Sequence, residues 1–334
     1  MPDLTLADLL AGVVVVALNA YVVLAGADFG GGVWDLLATG PRRNRQRDLI
    51  AHAIGPVWEA NHVWLILVLV LLFTCFPPAF SRLAITLHLP LTIMLLGIVL
   101  RGSAFVFRSY GSADDRAQLW WGRVFAMASA VTPVLLGISL GAVASGRVTG
   151  WIPGGFHTAF VAPWLAPFPL ACGLLALALF AFLAAVYLTV ESEGESALQE
   201  DFRRRALASG AAVFVAAALT LLASEGAPEM RAGLLLTPQA VVLQLLVAAA
   251  ALGALASLWY RRWRRARLAA AAQASLMIWG WALAQYPDLL PGTLSIHQAA
   301  APRFTLELVA GALLLGACVL LPSLAYLFRV FKSR

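Results

Sequence analysis

Charged residues are scarce in this chain of 334 residues. Asp, Glu, Lys and Arg together make up 12% of it, about half of the roughly 25% found in a soluble domain. Hydrophobic residues make up 61%, and the mean hydropathy is +0.85. This composition excludes a soluble globule. It indicates a polytopic membrane protein, because each helical crossing needs about 20 predominantly apolar residues.

Cysteine is also scarce, and no cleavable leader is indicated. Cys75, Cys172 and Cys318 lie far apart in separate apolar runs, so they predict neither a disulfide nor a zinc site.

The first residues, MPDLTLADLL, are acidic where a secretory signal is basic, so the first apolar run is expected to remain as a membrane helix. Without an internal repeat or a linker, we expect one integral membrane domain over residues 1–334.

Apolar runs between helix breakers predict an all-α membrane fold with nine transmembrane helices. The expected segments are residues 4–28, 49–76, 79–106, 118–145, 160–190, 205–224, 236–260, 266–286 and 304–330.

Basic residues are distributed unevenly among the expected connections. Of the 23 Lys and Arg residues, 19 fall in alternate connections, where Arg101 is counted, and at the C-terminus. The positive-inside rule therefore places the N-terminus outside and the C-terminus in the cytoplasm. The same asymmetry accounts for the pI of about 9.7, because basic residues beside membrane helices attract anionic lipid, so no nucleic-acid partner is needed. The four exceptions are Arg82, Arg147, Arg231 and Arg303.

Acidic residues occur at the end of the first expected helix. Asp28 and Asp35 are seven residues apart and share a helix face with Gly31 and Gly32. The glycines would let a neighbouring backbone, a cofactor or water approach the acids. Two interpretations stay open: a functional acid at Asp28, or Asp28 paired near the interface with Asp35 solvated beyond it.

The second expected helix contains a further acid. If the helix is continuous, His52 and Glu59 lie on one stripe with His62, and Glu59 lies near mid-membrane. Gly55 and Pro56 interrupt the hydrogen-bond ladder one turn earlier and would make room for water. Either Glu59 takes part in proton transfer, or it bonds a neighbouring helix or subunit.

His62 and His88 are the candidate haem or metal ligands inside the apolar runs. His62 is expected in the inner half of the membrane and His88 in the outer half, so they are poorly matched as axial haem ligands. The sequence predicts no metal site and no redox centre held by this chain alone. Arg101 and Arg108 are expected to snorkel to the interface or to pair with acids.

Several motifs together resemble subunit II of the cytochrome bd quinol oxidases, across essentially the whole chain. PVWEANHVW is the most specific, since it combines Pro, Trp, an acid and Asn at fixed spacing inside a membrane helix. The motifs are VLAGADFGGGVWDLLA (23–38), IGPVWEANHVWLI (54–66), LFTCFPPAF (72–80), GIVLRGSAFVFR (97–108), WALAQYPDLLPGTLSIHQAAAP (281–302) and LPSLAYLFRVFK (321–332).

The resemblance implies a bacterial plasma-membrane complex that oxidises quinol and reduces dioxygen to water without pumping protons. Haems b and d and the quinol-oxidation loop then belong to a homologous haem-bearing subunit I. Subunit II would have nine helices, arranged as two four-helix bundles and one peripheral helix. Small single-helix subunits, and a quinone or lipid bound within this chain, are left open.

The resemblance also implies roles for individual residues. Glu59 would be the acid on a proton route from the cytoplasm, and Asp28 the family acid of the first helix. Trp64 falls where an oxygen path has been placed in some members. Many relatives have Asp at the position of Glu59 and some have Gln at that of His62, so the reach of the route differs here. The supporting residues would be Trp58, Asn61, His62 and Arg101.

Two other classes of protein also place acids inside a membrane. A secondary transporter has buried acids and broken helices, but its polar residues usually extend through several helices, and here the last four helices are nearly free of them. A purely structural scaffold would have neither a proton path nor an oxygen path.

Overall fold

The computed structural model describes residues 4–55, 58–110, 115–150 and 155–332, and most of them are helical. Pro56, expected to help break the second helix, lies outside the described residues. The helices are α1 (Leu6–Leu36), α2 (Arg43–Ile54), α3 (Trp58–Cys75), α4 (Pro77–Thr86), α5 (His88–Tyr110), α6 (Asp115–Ala144), α7 (Phe156–Phe160), α8 (Pro167–Glu191), α9 (Ser196–Leu222), α10 (Pro228–Leu235), α11 (Pro238–Trp259), α12 (Trp263–Gln285), α13 (Ile296–Ala299) and α14 (Arg303–Lys332). Two short antiparallel strands, β1 (Asp288–Leu290) and β2 (Leu294–Ser295), follow α12.

The all-α membrane fold is confirmed, but the count of nine spans is not. Eight helices of the described residues are long and apolar enough to cross a membrane. The expected segment 266–286 is present as α12, which opens with the sequence WRRAR. Helix α12 is not among the eight helices that are long and apolar enough to cross a membrane.

Several expected helix boundaries were wrong; α9, for example, begins at Ser196 rather than at residue 205. The first helix does not end at residue 28 but continues to Leu36. The second expected helix is two helices, α2 and α3, and the third is also divided, into α4 and α5. Pro77 lies in the first turn of α4, where a missing N–H costs nothing, so the chain restarts a helix there rather than continuing α3.

Helix α1 lies at the centre of the structure and contacts α3, α6, α8 and α12. A Cβ at Gly30 would overlap the backbone carbonyl of Phe180 on α8, and one at Gly32 would overlap Ser129 on α6. Trp34 Nε1 also donates a hydrogen bond of 2.7 Å to the Ala181 carbonyl. The glycines therefore let neighbouring helices approach α1 closely, as small residues do between membrane helices.

The outer surfaces of the peripheral helices are apolar. Phe214 on α9 is 76% exposed and Leu314 on α14 is 73% exposed. Helix α14 makes its main contacts with α1 and α3. The most apolar stretch of this helix contains no buried residue. Apolar surface of this extent requires lipid or another membrane protein as its surroundings.

Most of the cationic connections lie at one end of the structure, which we call the arginine-rich face. It comprises the ends of α1, α8 and α11 and the starts of α2, α9 and α12. Arg42, just before α2, forms an ion pair of 2.6 Å with Asp201 on α9, and Arg45 forms one of 2.6 Å with Glu195. Hydrogen bonding to Asp201 raises the pKa of Arg42. Arg101 was counted with these connections, and this was wrong: it lies within α5.

Replacing Gly30 by Ala should destabilise the protein by about 1–3 kcal/mol, because the new methyl group displaces the backbone of α8. The matched control is Gly311→Ala on α14, where no atom lies within 4 Å of the new Cβ. That change should be neutral or slightly stabilising, since Ala favours a helix over Gly. Thermal unfolding of the purified protein in detergent measures both, and equal unfolding temperatures would contradict the close contact.

Candidate functional site

A carboxylate and an amide meet between α1 and α3. Asp28 is 7% exposed and Asn61 is 3% exposed, and Asn61 Nδ2 donates a hydrogen bond of 2.6 Å to Asp28 Oδ2. Asp28 lies eight residues, about 12 Å along the axis, before the end of α1 at the arginine-rich face. The pair therefore lies inside the spanning region, where an unpaired carboxylate would be costly.

A buried guanidinium accompanies this pair. Arg101 on α5 is 2% exposed and is among the largest fully buried side chains. Its Nε donates to Ser129 Oγ at 3.2 Å, and its guanidinium carbon lies 4.7 Å and 5.3 Å from the ring centres of Phe29 and Phe125. Arg101 also has a favourable Coulomb interaction with Asp28. It therefore does not snorkel to the interface, and it lies close enough to Asp28 for the two charges to attract each other.

Four polar atoms on α3, α5 and α6, one of them on this guanidinium, have capacity for further hydrogen bonds. They are buried and have no partner among the described residues: Arg101 Nη2, Asn61 Oδ1, His62 Nδ1 and Thr132 Oγ1. Buried polar atoms without protein partners are the usual sites of internal water. These four atoms offer water the donors and acceptors that it needs to bridge α3, α5 and α6.

His62 and Trp58 complete the inner side of α3. The His62 ring packs between aromatic rings, with its centre 5.8 Å from that of Tyr21, 5.9 Å from Phe29 and 6.3 Å from Trp58. Trp58 also contacts Phe105 on α5, with 5.9 Å between ring centres. These contacts surround the His62 ring with aromatic side chains from α1, α3 and α5.

Asp35 is buried as well, so the interpretation in which it is solvated was wrong. It is 3% exposed, and Arg108 Nη1 lies 3.1 Å and 3.0 Å from its two carboxylate oxygens. Arg47 on α2 lies 3.9 Å away. Because α1 continues to Leu36, the side chain stays inside the helix bundle, where two arginines balance its charge.

Glu59 does not join these groups. Helix α2 ends at Ile54 and α3 begins at Trp58. On α3, His62 packs inward against aromatic rings, whereas Glu59 is exposed. Glu59 shares the outer face of α3 with Ile66 and Phe73, which are 58% and 63% exposed. This chain therefore does not enclose Glu59, and both interpretations, proton transfer and a bond to a neighbouring subunit, stay predictions.

Trp64 and the second histidine lie apart from the polar cluster. Trp64 is half-buried against the core. His88 begins α5 at the opposite end from the arginine-rich face, and its Nδ1 lies 2.9 Å from the Ile85 carbonyl. His62 is instead the fifth residue of α3, close to the end of that helix nearest the arginine-rich face. The two histidines therefore do not form a matched axial pair for a haem.

Sequence reasoning missed Tyr21, Ser129 and Thr132. Ser129 and Thr132 lie one turn apart on α6 and are 0% and 2% exposed. Their i,i+3 spacing in an apolar helix was a usable signal, because polar side chains at that spacing share a face. Tyr21 is 1% exposed and had no comparable signal.

A large apolar cavity lies toward the other end of the molecule, between α1, α3, α5, α6 and the end of α12. Its volume is about 690 Å³. Three of its lining residues carry buried polar atoms without a hydrogen-bond partner in the described residues: Asp8 Oδ1, Trp281 Nε1 and Gln285 Oε1. The cavity thus combines long apolar walls with two acceptors and one donor, which is the pattern of a site for an amphiphilic ligand.

Comparison with known proteins identifies the family. The family described as "Cytochrome bd terminal oxidase subunit II" matches residues 6–331. The chain belongs to this family. A bd oxidase structure from Geobacillus thermodenitrificans superposes on it with a TM-score of 0.81, covering 99% of this chain and 100% of that chain. At 22% sequence identity this likeness shows the fold.

Individual subunit II relatives align over part of their length. Cytochrome bd ubiquinol oxidase subunit 2 of Bacillus subtilis is 31% identical over 134 residues, which is 40% of this chain and 39% of the relative. Cytochrome bd-I ubiquinol oxidase subunit 2 of Escherichia coli K12 is 27% identical over 202 residues, 59% of this chain and 51% of the relative. The chain thus spans about half or less of the curated relatives it matches.

Removing the buried cation from this subunit II chain should be far more costly than removing an exposed one. Arg101→Leu leaves Asp28 without its cation and should cost about 3–5 kcal/mol. The control is Arg303→Leu, whose side chain is 89% exposed and paired with Glu307, and it should cost at most about 1 kcal/mol. Unfolding temperatures measured in detergent check the difference. The double variant Asp28→Asn, Arg101→Leu should recover part of the stability lost in Arg101→Leu.

Proposed function

We propose that this subunit II chain works in a membrane complex that oxidises quinol and passes the electrons to dioxygen, together with a homologous haem-bearing subunit I. The names of its relatives support a quinol substrate. The B. subtilis and E. coli relatives are named ubiquinol oxidases, and a second B. subtilis relative, 30% identical over 99 residues, is named a putative menaquinol oxidase. We assign haems b and d to the partner.

The uneven distribution of arginine supports an orientation in the bacterial plasma membrane. With 19 of 23 basic residues in alternate connections or at the C-terminus, we place the N-terminus outside and the C-terminus in the cytoplasm. Arg101 lies inside the bundle and does not contribute, but the bias of the remaining residues is unchanged in sign. The arginine-rich face is then cytoplasmic.

The observation that carries the proposal is the buried cluster of Asp28, Asn61 and Arg101. Reduction of dioxygen to water consumes one proton for each electron, so a reaction site inside the membrane needs polar groups that deliver protons to it. Helix α3 presents Asn61 inward to Asp28 and, two residues earlier, Glu59 outward. We propose that protons pass from Asp28 across this edge of α3 to Glu59, and from there to the partner subunit.

The surroundings of Glu59 indicate where the partner lies. Ile66, Val70 and Phe73 extend the same exposed face and are apolar. A carboxylate on such a face is costly in contact with lipid, so we propose that the haem-bearing subunit covers it.

We keep Trp64 as the residue of oxygen access. It is half-buried on α3 and packs against the apolar core. Dioxygen is small and apolar, so it partitions into apolar surroundings of this kind.

Glu59→Gln and Asp28→Asn should each slow quinol oxidase turnover at least tenfold, because an amide keeps the volume and most hydrogen bonds but cannot carry a proton. Glu59→Asp should keep much of the activity. The control is Glu307→Gln on α14, an exposed carboxylate paired with Arg303, which should turn over normally. Turnover is measured on the purified two-subunit complex, with haem content read from its absorption spectrum.

Other outcomes favour the rival functions. A scaffold predicts that haem content and partner binding fall in parallel with activity in the Asp28 and Glu59 variants. Normal turnover of the fully assembled amide variants would remove both acids from the proton route. Purification of the chain without a haem-bearing partner, together with solute flux in vesicles, would favour a secondary transporter.

The large cavity supports a bound amphiphile, which we propose to be a quinone or a membrane lipid. Its apolar walls suit an isoprenoid or acyl chain. At the polar end, Trp281 Nε1 can donate to a carbonyl or ester oxygen, while Asp8 Oδ1 and Gln285 Oε1 can accept from a hydroxyl group. A quinone and a membrane lipid both combine a polar head group with a long apolar chain.

Gly12→Phe should displace this ligand. Gly12 lines the cavity, and no atom lies within 4 Å of a Cβ placed there, so the ring enters open space. The control is Gly316→Phe on α14, which is equally unobstructed but outside the cavity lining. Mass spectrometry of solvent extracts should find one quinone, or one lipid, per complex in wild type and control and little in Gly12→Phe. Equal amounts in all three would contradict binding in the cavity.

A further inference from the structure

A second, small cavity runs from the Asp28 cluster toward the arginine-rich face. Its volume is about 70 Å³. Asp28 and Asn61 line one part of it, and Glu191 and Arg267 another. The remaining lining residues come from α1, α2 and α8: Leu24, Ala27, Gly31, Ile50, Ala53, Ile54, Ala184, Tyr187 and Leu188. Since Glu191 is the last residue of α8, the cavity links the buried acid with the end of the helix bundle.

Glu191 and Arg267 form an ion pair beside this cavity. Arg267 Nη1 lies 3.8 Å from Glu191 Oε1, and the two side chains are 39% and 24% exposed. Arg267 also lies over the ring of Tyr187, 4.8 Å from its centre, and the Tyr187 hydroxyl donates to the Val23 carbonyl at 3.4 Å. The glutamate is thereby held with access both to the outer solution and to the cavity.

We propose that Glu191 is the group through which protons enter this subunit from the arginine-rich face, and that water in the small cavity carries them to Asp28. This rests on the proposed function, in which Asp28 belongs to the proton route. The protonated Glu191 gives its proton to the nearest water, each water passes one proton onward, and the Asp28 carboxylate receives the last. Glu191 then takes a proton from the solution, and no electron moves.

The dimensions of the cavity agree with this role. About 30 Å³ is the share of one molecule in liquid water, so about 70 Å³ holds two or more waters. Along α8, the cavity lining from Ala184 to Glu191 covers seven residues, or about 10 Å. Two to four waters about 2.8 Å apart bridge roughly that length. Carboxylate, amide, phenol and guanidinium groups in the lining offer them hydrogen bonds.

Arg267 acts as a positioning residue in this arrangement. Its charge holds the Glu191 side chain at the mouth of the cavity, and its own position is fixed by the contact with Tyr187. Glu191 stays partly exposed in this ion pair, so it can exchange protons with the solution.

The test compares two glutamates of the same segment in the complete quinol oxidase complex. Glu193 is two residues further on, is 68% exposed and pairs with Arg264 at 3.6 Å, but it does not line the small cavity. Glu191→Gln should slow steady-state turnover at least fivefold, while Glu193→Gln should leave it unchanged. Glu191→Asp should recover at least half of the lost rate, because the carboxylate is restored.

A second measurement separates proton entry from a structural effect. The fully reduced complex is mixed with dioxygen, and proton uptake is followed with a pH-indicator dye while the haem spectrum is recorded. In Glu191→Gln, proton uptake should slow by the same factor as turnover, with haem content and the rate of oxygen binding unchanged. A loss of haem, or a slowing of oxygen binding, would overturn the assignment.

The outcomes also separate this inference from the proposed function. If Asp28→Asn is slow and Glu191→Gln takes up protons at the normal rate, the entry at Glu191 is wrong while the route through Asp28 stands. If Asp28→Asn turns over normally, the route itself is wrong. Equal slowing in Glu191→Gln and Glu193→Gln would indicate a general effect of surface charge and would also overturn the proposal.

Discussion

An arginine inside a membrane bundle is stable only where a counter-charge and hydrogen-bond acceptors are close to it, and Arg101 imposes this constraint on the whole structure. The guanidinium is 2% exposed, so its charge has to be balanced by the protein. Asp28 provides the charge from α1, Ser129 an acceptor from α6, and Phe29 and Phe125 their ring faces. Three helices are thus held in a fixed relation by one side chain.

The position of α1 makes this arrangement feasible. Gly30 lets the backbone of α8 approach closely, and Gly32 makes room for the Ser129 side chain of α6. The continuation of α1 to Leu36 brings Asp35 between Arg47 and Arg108. One helix therefore carries two buried carboxylates, each balanced by arginine from other helices. The outward carboxylate of Glu59 contrasts with both, because this chain supplies no enclosure for it and a neighbouring subunit is proposed to do so.

Hydropathy and charge predicted the helices well, since both act on whole segments. Residues 118–145, 236–260 and 304–330 were expected as helices, and α6, α11 and α14 lie within a few residues of these limits. The same reasoning failed at the end of α1 and at the start of α3. Whether a glycine-rich stretch stays helical depends on neighbours that pack against it, and periodicity along one segment does not contain them.

The sequence by itself determined that this is an α-helical membrane protein, which end of it is rich in arginine, and that Asp28, Asn61, His62 and Arg101 are polar residues in apolar surroundings. It also carried the family resemblance, because the motifs are local. Only the tertiary structure decided that Asn61 bonds Asp28, that Arg101 is buried near them, that Glu59 faces outward, and that the two cavities described above lie between the helices. The physical reason is that pairing and empty space depend on how helices distant in sequence rotate and pack against each other, and each helix alone is compatible with many such arrangements.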